Sequence, residues 1–92
     1  MVDPKLHTLL AVYEFNSFTK AAEHLSLTQP AVSQHVKQLE REGGVKIFNR
    51  IDNELKPTSE GEIVIRYAKR NIALYQHMMQ DILNEKRQRK SL

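Results

Sequence analysis

Ninety-two residues can build only one small hydrophobic core, so a single domain is expected, and added stability from a partner subunit suits its size. The chain has no cysteine, which excludes disulfides, thiolate metal sites and thiol nucleophiles, and no apolar run approaches the length of a membrane span. A formal net charge of +3 favours an anionic partner, and the N-terminus enters an amphipathic pattern directly, without a signal peptide, so a cytoplasmic protein is expected.

Asp3 and Pro4 make an N-cap and first-turn pair, after which Leu6, Leu9, Leu10 and Tyr13 recur with helical spacing. The first helix is expected to end near Asn16. Ser17 or Thr19 then caps a short helix whose inward face is Phe18, Ala21, Ala22 and Leu25, the two alanines allowing close helix approach. The link Ser26-Leu27-Thr28 forces a sharp turn, with Leu27 expected to plug the corner. Thr28 as N-cap and Pro30 in the first turn start a third helix, which runs to about Glu42 and is stopped by Gly43-Gly44. At roughly 100° per residue, Val32, Val36 and Leu39 form its buried stripe, while Pro30, Ser33, Gln34, Lys37 and Arg41 gather opposite. That second face is small, polar and basic, with no carboxylate near its centre, which is the chemistry of a helix that lies in a DNA major groove.

Beyond the glycines the pattern changes to that of a small hairpin: Val45, Ile47 and Phe48 are strand formers, Asp52-Asn53 is a turn signal and Glu54-Leu55-Lys56 returns. Ser59-Glu60-Gly61-Glu62 reads as a capping box with the Ser59 hydroxyl as acceptor. One helix is then expected from about Glu60 to about Lys86, roughly 40 Å long. Along it Ile65, Ala68, Ile72, Tyr75, Met79 and Ile82 alternate spacings of three and four, as a coiled-coil seam does, and Val64, Tyr67, Leu74 and Met78 lie beside them. A helix so apolar, projecting past so small a core, needs its own domain on one side and a second chain on the other. The expected fold class is therefore mainly α. A winged helix-turn-helix of three helices plus a small β-hairpin wing occupies residues 1–58, a linker and dimerisation helix 59–87, and a disordered basic tail 88–92.

In order along the chain, Phe18-Thr19-Lys20-Ala21-Ala22-Glu23, Thr28-Gln29-Pro30-Ala31-Val32-Ser33, Leu39-Glu40, Phe48 with Arg50, and Thr58 with Gly61 resemble the DNA-binding domain of a LysR-type transcriptional regulator. The resemblance covers about Leu6 to about Leu83. It implies a homodimer, antiparallel through the linker helices, that presents two recognition helices to successive major grooves of an interrupted palindrome. A nucleoid-associated location is expected, and nothing in the sequence specifies a bound metal or cofactor. The family's effector-binding domain is not in these 92 residues, so a small-molecule effector would act only through a domain absent from this chain. The chain is read as an isolated DNA-binding portion, in preference to a natural protein that has lost its sensor.

The chain departs from the family pattern in three places. Gly43-Gly44 stands where Leu-Gly is usual, which is expected to leave the corner under the wing less well packed, by about 2 to 5 kcal/mol for a hollowed core site. Gln34 stands where arginine is common, and Asp52-Asn53 stands where many members carry a basic wing tip that enters the minor groove.

Base reading is assigned to Gln29, Pro30, Ser33 and Gln34: the two amides suit the N6 and N7 edge of adenine, and Pro30, with Ala31, suits a thymine methyl. An A/T-leaning half-site follows. Phosphate contact is assigned to Thr19 and Thr28 at helix N-termini, to Lys37, and to Arg50, which resembles the family's wing arginine. His35 lies nearer the buried side. Lys46 is read as a solvated surface charge. The dimer seam is Ile65, Ala68, Ile72, Tyr75, Met79 and Ile82.

Three other classes compete. Four histidines occur without metal-binding spacing, no serine sits in a nucleophile elbow and no phosphate loop is present, so no enzyme is expected. A winged-helix protein-interaction module would need an aromatic or aliphatic anchor on the exposed face of the third helix, which has none. RNA binding would favour exposed aromatics for stacking, whereas Phe18, Phe48 and Tyr13 are expected to be buried.

Overall fold

A computed structural model describes residues 2–90, in the order α1 (Pro4–Phe15), α2 (Phe18–Leu25), α3 (Gln29–Gly43), β1 (Phe48–Ile51), β2 (Glu54–Pro57) and α4 (Ser59–Lys90). The first three helices start where a side chain takes up an otherwise unpaired amide. Asp3 accepts from the Lys5 N–H at 3.0 Å, Ser17 from Lys20 at 3.1 Å and Thr28 from Ala31 at 3.2 Å. Hydrogen bonding from the Lys5 ammonium, 2.8 Å away, also holds the Asp3 carboxyl below the usual carboxylate range. Ser17, not Thr19, is thus the cap of α2, which leaves the Thr19 hydroxyl for other work.

The corner between α2 and α3 is closed by backbone, not by the leucine expected to plug it. Ser26 adopts a left-handed conformation (φ 56°), and the Leu27 N–H reaches back to the Ala22 carbonyl at 2.9 Å. The Leu27 side chain is turned outward and is 40% exposed. Helices α1, α2 and α3 pack on one another around Leu9, Val12, Ala21 and Val32, and α4 adds Ile65 and Ala68 from above α1.

Strands β1 and β2 pair antiparallel, Phe48 opposite Pro57 through Ile51 opposite Glu54. Asp52 (φ 52°) and Asn53 (φ 63°) are both left-handed, as a two-residue turn matching strand twist requires. Four residues per strand would make a poor sheet alone. Phe48 anchors it, its ring edge-on to Phe18 at 6.2 Å between centroids. Ile47 precedes the strand and is fully buried.

Two helix-end readings are corrected. The cap of α4 is Thr58, whose Oγ1 accepts from the Gly61 N–H at 2.8 Å, while the Ser59 hydroxyl donates instead to Glu60 at 2.7 Å. The reason is tertiary: the Thr58 hydroxyl donates to the Lys46 carbonyl and its N–H to the Ile47 carbonyl, so the loop before the wing holds Thr58 in the cap position. At the other end α4 continues through Lys90, where a disordered tail was expected from residue 88. Glu85, Lys86, Arg87, Gln88 and Arg89 are all good helix formers, and Glu85 pairs with Arg89 at 3.9 Å. Residues 91 and 92 of that expected tail lie outside the described residues. The long helix gives the molecule extents of 61 × 26 × 20 Å, and no described helix is long and apolar enough to cross a membrane.

Gly43 does not mark a hollow in the core. It is the exposed last residue of α3, followed by Gly44 as a left-handed cap (φ 65°), and a Cβ added to Gly43 would meet the Val45 side chain at 3.4 Å, an ordinary contact. The cost of this glycine is therefore helix propensity. Gly43→Ala is expected to raise stability by about 0.5–1 kcal/mol, read as a higher urea midpoint at unchanged slope.

Candidate nucleic-acid interface

The buried stripe of α3 fixes what the opposite side presents. Val32, Val36 and Leu39 are packed inward, and this leaves Gln29, Pro30, Gln34 and Lys37 exposed, with Ser33 half-exposed beside them. Thr28 and Thr19 are exposed at the N-termini of α3 and α2, and Arg50 is exposed on β1. The turn brings two of these together: the Thr19 hydroxyl donates to the side-chain Oε1 of Gln29 at 3.3 Å. That bond holds the side-chain amide of Gln29 by its oxygen against the start of α2. The Thr28 oxygen accepts from Ala31, and its hydroxyl proton stays available to an external acceptor.

A groove of about 370 Å³ separates α3 from the wing, and Ser33, Lys37 and Arg50 line it together. Lys46 and Asn49 line it too. The residue pattern alone places neither at the interface and reads Lys46 as a solvated charge; strand position relative to α3 depends on the hairpin register, which short-range pattern does not reveal. One carboxylate, Glu40, faces the same groove, but its Oε2 accepts the Ile47 N–H at 2.8 Å while its own carbonyl accepts the Val45 N–H at 3.1 Å. Glu40 thus builds the loop into the wing, and the groove presents Lys37, Lys46 and Arg50 as its cations. Because Ile47 is fully buried, its amide has no water to turn to. Glu40→Ala is expected to cost about 1.5–3 kcal/mol in denaturant unfolding, and Glu40→Gln, which keeps a neutral acceptor, about half as much.

His35 is turned away from this face. Its Nδ1 lies 2.8 Å from the hydroxyl of Thr8, a buried residue of α1. Helix α3 is therefore tied to α1 by a polar contact as well as by its apolar stripe.

The expected seam on α4 divides. Ile65 and Ala68 are each only 2% exposed because α4 lies over α1 there, so both are committed to the domain's own core and are unavailable to a partner. Ile72 and Tyr75 are half-buried at the edge of the domain, and Met79 and Ile82 stand exposed beyond it. Leu74, Met78 and Leu83 are exposed alongside them. Arg66 and Arg70 stack over the Tyr67 ring, 5.6 and 4.9 Å from its centroid, and Lys69 lies over Tyr13 at 5.2 Å.

Comparison with known proteins gives this geometry its context. The family model described as bacterial regulatory helix-turn-helix protein, lysR family, matches residues 4–62. The chain is 46% identical over 71 residues to the HTH-type transcriptional regulator YxjO of Bacillus subtilis, covering 77% of this chain and 24% of that protein. It is 38% identical over 77 residues to CitR of the same organism, covering 84% and 26%. The chain thus spans about a quarter of the length of these relatives. Among solved structures, a complex of the BenM DBD with benA site 1 DNA superposes with a TM-score of 0.81 at 32% identity, covering 88% of this chain and 91% of that one. A LysR-family regulator from Eggerthella lenta gives 0.70 at 39% identity, covering 75% and 99%.

Proposed function

The chain belongs to the LysR family of bacterial regulatory helix-turn-helix proteins, and on that premise we propose that it reads double-stranded DNA as a homodimer, setting two α3 helices into successive major grooves of an interrupted inverted repeat. The observation that carries this reading is the exposed polar face of α3 beside a groove edged by Lys37, Lys46 and Arg50. Gln29, Pro30, Ser33 and Gln34 read bases. Thr19, Thr28, Lys37 and Arg50 hold phosphates and set the register. Thr19 has a second part in this scheme, since its bond to Gln29 orients a reading amide. The wing tip carries Asp52, which phosphates repel, so the wing lies along the backbone without entering the minor groove. Small-molecule sensing is assigned to sequence outside these 92 residues, and catalysis has no part in this reading.

The test is selection from random duplex DNA at near-physiological salt. Enrichment of an interrupted, A/T-leaning inverted repeat is expected. Retention without a motif would remove base readout, and no retention would favour a protein-interaction module. The assignments separate on the selected site. Gln34→Ala is expected to lose about 1–3 kcal/mol at the base pair it reads, with other positions unaffected. Lys37→Ala is expected to weaken all duplexes alike and to lower the log-log salt slope by about 0.9. A uniform loss for Gln34→Ala would show that it is not a reader.

A further inference from the structure

The distal half of α4 leaves Leu74, Met78, Met79, Ile82 and Leu83 between 41% and 71% exposed, an apolar face that its own domain does not cover. Charges border this face in a definite order. Glu60 and Glu62 come first, then Arg66, Lys69 and Arg70; residues 71–80 contain no Asp, Glu, Lys or Arg; then come Asp81 and Glu85, and last Lys86, Arg87, Arg89 and Lys90. The signs run acid, base, neutral, acid, base. Laid antiparallel on itself, this series sets every charged block against one of opposite sign and the neutral block against itself.

The match extends to single residues. Arg66 and Glu85 are symmetric about a midpoint between Tyr75 and Gln76, and Arg70 and Asp81 share that midpoint. At roughly 100° per residue the four fall within about 100° of one another, along one flank of the apolar face. A two-fold axis perpendicular to paired helices brings each flank against the same flank of the other copy, so Arg66 meets Glu85, Arg70 meets Asp81, and both pairs occur twice. A parallel pair would instead set arginines level with arginines and carboxylates level with carboxylates. All four side chains are exposed. Their contacts within the chain are surface ones: the arginines stack on Tyr67, and Glu85 holds Arg89 at 3.9 Å. Such contacts yield readily to a better-placed partner.

We infer that Arg66, Arg70, Asp81 and Glu85 act as a self-recognition code, by which α4 selects an antiparallel copy of this same chain and rejects linker helices with another charge order. The inference rests on the homodimer proposed above and adds what chooses the partner.

Sedimentation equilibrium at low salt on three variants of the 92-residue chain tests it. Arg66→Glu with Arg70→Glu, and separately Asp81→Lys with Glu85→Lys, should each weaken self-association about ten-fold or more, and mixing the two should restore it. The variant with all four changes should pair with itself as the unmodified chain does and fail to exchange with the unmodified chain in native mass spectrometry. Undiminished self-association of both double variants would overturn the code while leaving the homodimer in place. Preferential pairing of the four-fold variant with the unmodified chain would overturn the antiparallel alignment. An unmodified chain that stays monomeric would overturn the homodimer itself.

Discussion

Gly61→Ala is expected to destabilise the domain by about 3 kcal/mol, the upper end of what overpacking costs, or more. A Cβ at position 61 would lie 2.1 Å from the Ile47 carbonyl oxygen and 2.9 Å from the Ile47 carbonyl carbon. Neither neighbour is a side chain that could swing aside. Ile47 is fully buried, its N–H is held by Glu40 and its carbonyl by the Thr58 N–H at 2.8 Å. On the other side Gly61 donates to Thr58 Oγ1, so relief of the clash means withdrawing the first turn of α4 from the loop before the wing. The Thr58 cap and the seating of Ile65 in the core go with it. In a small domain whose total stability is of order 5–15 kcal/mol, this is a large fraction. The urea midpoint of Gly61→Ala should fall steeply, opposite in sign to Gly43→Ala, although the chemical change is the same. Equal midpoints for Gly61→Ala and the unmodified chain would mean that α4 does not enter the core beside Ile47.

That contrast between two glycines shows where local pattern stops informing. Caps and stops within one helix depend on neighbours in sequence, so Asp3, Thr28 and the Gly43-Gly44 end of α3 were legible from the residues alone. The turn at Asp52-Asn53 was legible for the same reason. Thr58 was not, because Ser59 has the same chemistry and only the carbonyls of Lys46 and Ile47 decide between them. Leu27 was misread because a leucine in a corner suggests burial, whereas the left-handed Ser26 closes the corner with backbone bonds and turns the side chain out. At the interface, the exposed face of α3 follows from its buried stripe, but Lys46 and Asn49 reach the groove only through the placement of the hairpin. On α4 the apolar stripe was legible, but not what covers it. A three-four spacing records that a stripe is covered without recording by what, and here α1 covers Ile65 and Ala68 while Met79 and Ile82 are left over.

Those leftover residues carry the second large effect. Met79→Glu with Ile82→Glu is expected to convert the proposed homodimer to monomer and to lower affinity for the two-half-site duplex by about 10²–10⁴-fold, the range by which a linked second contact raises avidity. Both side chains are more than 40% exposed and lie beyond the part of α4 that packs on α1, so the winged helix-turn-helix should keep its own urea midpoint. Replacing Ile65 or Ala68 would confound the result, since a charge at either would disrupt the core. Sedimentation velocity should show the monomer, and titration against a duplex with one half-site should show affinity per head unchanged, because α3 and the wing are untouched. Carboxylates at these two positions also add like charge beside Asp81 and Glu85, so raising the salt should recover little of the dimer once its apolar contact is gone. An unchanged sedimentation profile would move the dimer contact to another part of α4, such as its first half, where Ile63 and Tyr67 stand 48% and 51% exposed.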